Sequence, residues 1–242
     1  MAARLLEVAA NSLASALAAQ AGGAGRVELC TALELGGLTP SHGEIALVRE
    51  RVRLPLYVLI RPRAGDFLYS EQELETMHRD IEACAAFGCD GVVLGVLDAQ
   101  GNVDRRHGRA LVDAAGGMGV TFHRAFDLAP DPLSALDDVM ALGVERLLTS
   151  GGQRTAMGGA AQIRSLIERA AGRMTVMPGS GIHSDDIAAL ARQTGAHEFH
   201  ASAKRVLASR MPYYGDGLGM DGGEIRTDEA QVRALVEALS RE

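Results

Sequence analysis

Val120-Thr-Phe-His-Arg-Ala-Phe-Asp127 opens as a buried strand and ends in three ionisable side chains, His123, Arg124 and Asp127. An apolar run that turns polar at its C-terminal end is how parallel α/β proteins carry a site, because strand ends open onto ligand-binding loops. The same switch recurs at Glu7, Glu28, Arg61 and His200, each closing its own short apolar run. Five such endings imply one shared polar mouth.

Further strand patterns surround this stretch. Apolar runs at 4–9, 25–30, 55–60, 90–94, 119–123, 144–149, 173–177 and 196–200 alternate with helical patterns near 11–20, 41–52, 70–87, 104–116, 132–142, 159–171, 184–193 and 227–240. Helix starts are well marked. Ser41 with Glu44, and Ser70 with Glu73, have capping-box spacing. Asp131-Pro132 reads as a cap followed by a first-turn proline, and Ser184-Asp185-Asp186 opens a helix with acids at its positive end.

Eight strand–helix repeats in 242 residues predict an α/β fold, a single-domain (β/α)8 TIM barrel over 1–242. An open doubly wound sheet is the structural rival. A Gly-rich stretch near 208–226, containing Met211-Pro212-Tyr213-Tyr214, is expected to be a loop before the C-terminal helix. The chain is 47% hydrophobic but only 4% aromatic, so Ala, Leu, Val and Ile must fill the core.

A net charge of -7 with no basic tract argues against nucleic-acid and anionic-membrane partners. No apolar run is long enough to span a bilayer, and the first ten residues lack a signal-peptide pattern. Cys30, Cys84 and Cys89 form no disulfide framework, which together predicts a reduced, cytoplasmic protein. The fold also permits a homo-oligomer.

Strand C-termini converge in a barrel whatever their separation in the chain, so Glu7, Glu28, Arg61, His123 and His200 can meet. His123, Glu28 and Glu7 are the catalytic candidates, since a histidine beside carboxylates performs acid–base chemistry near neutral pH. Arg61 and Arg124 suit an anion, with His200 and Ser202 beside them. Two Gly-rich loops, Thr149-Ser150-Gly151-Gly152 and Pro178-Gly179-Ser180-Gly181, add backbone donors, making Ser150, Gly179, Ser180 and Gly181 further ligand-binding candidates. Within Arg61-Pro-Arg-Ala-Gly-Asp-Phe67, one arginine is expected to pair with Asp66, and Arg61 is assigned to the pocket because it closes the strand.

Cys30 shares a strand face with Glu28 and could give a soft metal its thiolate, with His123 and His200 completing a mixed site. Cys84 and Cys89 read as small core residues. Met174 and Met177 should point to opposite faces of their strand.

Val27-Glu-Leu-Cys30, Gly36-Gly-Leu-Thr-Pro-Ser41, Ile60-Arg-Pro-Arg-Ala-Gly-Asp-Phe67, Asp90-Gly-Val-Val93, Val120–Asp127, Leu148-Thr-Ser-Gly151 and Glu198-Phe-His200 closely resemble the CutC family, named for copper homeostasis. The resemblance implies a (β/α)8 barrel, a cytoplasmic copper-handling role and Cu(I) binding, with Cys30 and the polar mouth as its seat. The mouth's own chemistry supports an alternative. Copper carriers cluster soft ligands, whereas carboxylates, imidazoles and anion loops suit an acid–base enzyme acting on a small anionic or phosphorylated metabolite.

Overall fold

All eight expected strands form, most of them short runs rich in Val and Leu set between a turn and the next helix. The structure is a computed structural model and describes residues 4–211 and 223–241. The parallel strands are β1 (Leu5–Ala10), β2 (Arg26–Leu29), β3 (Leu56–Leu59), β4 (Gly91–Leu94), β5 (Gly119–Phe122), β6 (Arg146–Thr149), β7 (Thr175–Pro178) and β8 (Glu198–Ala201). Helices α1 (Leu13–Ala21), α2 (His42–Arg51), α3 (Glu71–Ala86), α4 (Arg105–Ala115), α5 (Pro132–Leu142), α6 (Ala160–Ala170), α7 (Ile187–Thr194) and α8 (Glu229–Ser240) alternate with them.

The strand order is β7-β6-β5-β4-β3-β2-β1-β8, and a parallel bridge between Gly179 and His200 brings the two ends together. The protein is therefore a (β/α)8 barrel, not an open doubly wound sheet. Caps form where the sequence marks them. Ser70 Oγ accepts from the Glu73 amide while Glu73 accepts from the Ser70 amide, and Asp131 caps the Leu133 and Ser134 amides ahead of Pro132.

Side-chain parity divides the molecule into two cores. Residues such as Leu6, Val8, Val27, Leu29, Val58, Ile60, Leu94, Phe122 and Phe199 point outward and form one large apolar layer with the helices. Full burial of each such side chain contributes about 1.5–3 kcal/mol. Among the described residues, Cys30, Tyr57, Leu59 and Val93 form a separate apolar cluster inside the barrel. Much of the rest of the interior is ionic. Arg26 bridges Glu7 and Glu198 (2.6 Å to the latter), and Arg146 bridges Glu198 (2.6 Å) and Glu145 (2.9 Å). Tyr57 lies between the two guanidiniums, 5.3 Å from each, and donates its hydroxyl to Glu145. Gly91 and Gly119 make room for that ring, since a Cβ at either would collide with it.

Two expectations need correction. Residues 204–207 and 224–227 form an antiparallel hairpin, β9 (Lys204–Leu207) and β10 (Glu224–Thr227), so the stretch at 208–226 is not wholly loop. Asn11 Nδ2 donates to the Ile225 carbonyl (2.8 Å) and Thr227 N donates to Ser15 Oγ (3.1 Å), which docks the hairpin on the β1–α1 corner. Residues 212–222 of the expected loop lie outside the described residues. Helix α7 begins at Ile187 and not at Ser184, because Asp186 Oδ1 accepts the His183 amide (2.9 Å) in a preceding turn.

Candidate functional site

A cavity of about 810 Å³ opens at the C-terminal ends of the strands, within the range of small-molecule sites. Its floor is built by strand-end residues Glu28, Cys30, Leu59, His123, Leu148 and His200, and its rim by loop residues including Leu33, Leu35, Phe67, Leu128 and Ile182. Arg61, Arg124, Ser180, Gly181 and Ser202 also line it. Glu7, Ser150 and Gly179 do not.

Glu7 is fully buried beneath the floor. One carboxylate oxygen meets His200 Nδ1 at 2.8 Å and the other accepts from Arg26 Nε. Burial favours the protonated form, but the His200 hydrogen bond and the Arg26 charge outweigh it and hold this carboxyl down to about 2. With both oxygens engaged, Glu7 positions His200 and is not placed to touch a ligand. Above it, burial pushes the Glu28 carboxyl up to about 7, with the His200 charge opposing and Glu7 assisting. Glu28 Oε2 is buried and has no partner. His200 is itself raised: burial works against its charged form, yet Glu28 and Glu7 favour it more strongly.

His123 closes β5 from the opposite side. Its Nδ1 accepts the Ala125 amide at 3.1 Å, so the neutral ring carries its proton on Nε2, which is buried without a partner. Burial, then the nearby Arg61 guanidinium, pushes its pKa down to about 3. Gly95 lets the ring fit, since a Cβ there would stand 2.5 Å from Nδ1.

Arg61 is 6% exposed, and three backbone carbonyls, Leu35, Gly37 and Gly65, each accept from its guanidinium at 2.9 Å. Its Nε is buried and unpartnered, and the group lies 5.0 Å from the Phe67 ring. Phe67 also stacks against His123 at 4.9 Å. Arg63, by contrast, turns outward to Asp66 (2.9 Å) and Glu73 (2.6 Å), which is the pairing expected of one of the two arginines.

The first Gly-rich loop is already occupied by a carboxylate of the chain itself. Asp127 accepts from Thr149 Oγ1 (2.5 Å), Ser150 N (3.1 Å) and Gly152 N (3.2 Å) and pairs with Arg124 at 2.8 Å. Ser150 Oγ donates to Asp127 as well or to the Gln153 carbonyl. Ser150 is therefore corrected from ligand contact to internal support. Gly179, similarly, gives its amide to the Thr149 carbonyl (2.9 Å) and packs against Leu148 and His200. Ser180 and Gly181 remain at the cavity wall, Ser180 holding the Arg154 carbonyl at 2.9 Å.

The expected mixed metal site does not assemble. Among the described residues, the only three potential ligand atoms of His, Cys, Asp or Glu that cluster within 4.8 Å come from Glu7, Glu28 and His200. Cys30 and His123 are not part of it. Cys30 is 1% exposed, and burial, then Glu28 and Glu34, pushes its thiol well above the ordinary range. Met177 Sδ is taken by Arg26 at 3.4 Å, and Met174 lies in the outer core, on the opposite face as expected. Cys84 and Cys89 also sit in that outer core.

Sequence reasoning missed Phe67 and Lys204 as parts of the site, and it singled out Asp127 without giving it a role. Phe67 and Asp127 stood inside the two most distinctive segments, and the scarcity of aromatics was the available signal for Phe67. Lys204 belongs to the unanticipated hairpin and had none.

The CutC family model matches residues 4–205. A CutC family protein of Xanthomonas axonopodis pv. citri is 56% identical over 237 residues, 98% of this chain and 99% of its own length. The structure of a Streptococcus agalactiae CutC, provisionally named a copper homeostasis protein, superposes with a TM-score of 0.78 at 31% identity, covering 81% of this chain and 97% of that one. A thiamine phosphate pyrophosphorylase from Pyrococcus furiosus, 14% identical with a TM-score of 0.62 over 98% of this chain and 96% of its own, shares the fold alone.

Proposed function

The chain belongs to the CutC family, and from that premise we propose that it is an enzyme that binds a small anionic molecule in the barrel mouth and moves protons on it. One observation carries this reading. Arg61 is a buried guanidinium held only by neutral carbonyls, and among the described residues it has no carboxylate partner. A buried charge without a counter-ion is costly, and an anionic ligand would relieve that cost. Glu28, whose carboxyl is pushed up to about 7, and His200, whose charged form the two carboxylates favour, line the same cavity. Phe67 packs against both Arg61 and His123 at the cavity wall.

The test is titration of the ¹⁵N-labelled protein with inorganic phosphate. The Arg61 Nε–H and His123 Nε2–H signals should shift first. If they stay still at saturating phosphate while the fold is intact, the reading fails.

The family name supports a second reading, a copper ion at the mouth of a cytoplasmic protein. Glu7, Glu28 and His200 are its support. That set is hard and suits Cu(II) better than the Cu(I) expected from the resemblance. It would also compete with the hydrogen bond between Glu7 and His200. Cys30, the soft donor, is buried and holds its proton. The residues present therefore fit Cu(I) poorly. Three free, buried cysteines support the cytoplasmic location. Among the described residues, no helix is long and apolar enough to cross a membrane.

A further inference from the structure

The polar groups that the fold leaves unused in the cavity are of complementary kinds. His123 spends Nδ1 on the Ala125 amide, so its neutral ring can only donate to a ligand, through Nε2–H. A neutral imidazole is too weak an acid to give that proton away, but it polarises a carbonyl oxygen and stabilises the charge that develops there. Glu28, from β2 on the other side of the barrel, lines the cavity and leaves Oε2 buried without a partner, free to accept a proton. Arg61 supplies a fixed positive charge beside His123. Cys30 does not add a nucleophile, because a protonated thiol is unreactive.

Resting on the acid–base reading above, we infer that the substrate is a small carbonyl compound carrying a carboxylate or phosphate, and that the reaction is proton transfer at the carbon next to its carbonyl. Glu28 takes the proton from that carbon. The C–H electron pair becomes the carbon–carbon double bond of an enolate, and the carbonyl π pair moves onto oxygen, which His123 Nε2–H holds. Where that carbon bears a hydroxyl, the hydroxyl proton passes to the former carbonyl oxygen and Glu28 returns the carbon proton to the former carbonyl carbon, so the step balances without an oxidant, a reductant or a second substrate. Arg61 anchors the anionic group, and His200, held by Glu7, is a positioning residue for Glu28.

An enolate is planar, so planar hydroxamates that mimic it should bind better than saturated molecules of the same charge. Two pairs distinguish the anchor: phosphoglycolohydroxamate against 2-hydroxyethyl phosphate, and N-hydroxyoxamate against glycolate. Calorimetry should show at least one hydroxamate binding about tenfold or more tighter than its counterpart. His123→Phe should remove about tenfold of that preference, whereas His123→Gln, which keeps an N–H donor, should retain part of it. Since either variant could misfold, ¹⁵N spectra of the wild type give a second reading. His123 Nδ1 should be the acceptor nitrogen, and Nε2–H should move when the hydroxamate binds. Equal affinities within both pairs, or a folded His123→Phe variant that keeps the preference, would overturn the carbonyl assignment while leaving anion binding in place. No binding of any of the four at about 10 mM would overturn both readings.

Discussion

At the residue scale, the mouth shows how one fold holds two carboxyls at opposite extremes. Glu7 and Glu28 share His200, yet one is held at about 2 and the other is pushed up to about 7. The difference is hydrogen bonding: Glu7 has both oxygens engaged, while Glu28 Oε2 has no partner. The folded pKa of Glu28 lies above the ordinary value of 4.5, so the native state keeps a proton that the unfolded chain releases. Its contribution to stability is full below pH 4.5 and is lost as pH rises toward 7. Glu28→Gln cannot ionise and escapes that loss. Between those pH values its stability relative to wild type should climb by about 2–3 kcal/mol, several degrees in Tm by calorimetry. A difference that stays flat with pH would mean the carboxyl is solvated. These residues were legible as a constellation because each closes an apolar run. Their division of labour was not, since it depends on Arg26, which the sequence places within the 25–30 run with no sign of its partners.

At the element scale, the eight strands and eight helices were legible because periodicity and capping residues are local signals. The β9–β10 hairpin was not. Lys204, Arg205 and Val206 are all exposed, so the strand has no alternation to read, and its partner lies at the end of a Gly-rich stretch. What fixes it is a pair of long-range hydrogen bonds from Asn11 and to Ser15. The β6–α6 connection was misread for a related reason. Its glycines do form an anion-binding turn, but the anion is Asp127, delivered from the loop after β5. Asp127→Asn leaves those donors facing a neutral amide and removes the partner of Arg124. It should destabilise the protein by about 1.5–3 kcal/mol in urea denaturation. Hydrogen exchange should quicken at the Ser150 and Gly152 amides in particular. Unchanged exchange there would show that the turn holds itself.

At the scale of the whole molecule, the barrel closes around charge. Many barrels fill the interior with layers of branched apolar side chains, but this one places Arg26, Arg146, Glu7, Glu198 and Tyr57 on or near the axis. In sequence these residues look like ordinary polar strand ends, and only closure of the barrel reveals that they face one another. Arg26 connects β2 to Glu7 on β1 and Glu198 on β8, next to the seam that the Gly179–His200 bridge completes. Removing it would leave Glu7 without its cation where water cannot easily reach, while Glu198 keeps Arg146 at 2.6 Å, and breaking a buried pair from one side costs about 3–5 kcal/mol. Arg26→Met should lose that much by chemical denaturation, and because Arg26 does not line the cavity, the loss would not come from a missing ligand contact. The Glu7 carboxyl, deprived of its cation, should also titrate at a higher pH, and the acid limb of the stability curve should move up with it. Adding Glu7→Gln to the variant should restore part of the stability, since the stranded charge is then gone. If Arg26→Met costs less than about 1 kcal/mol, the interior network behaves like surface salt bridges and barrel closure rests on the outer apolar layer alone.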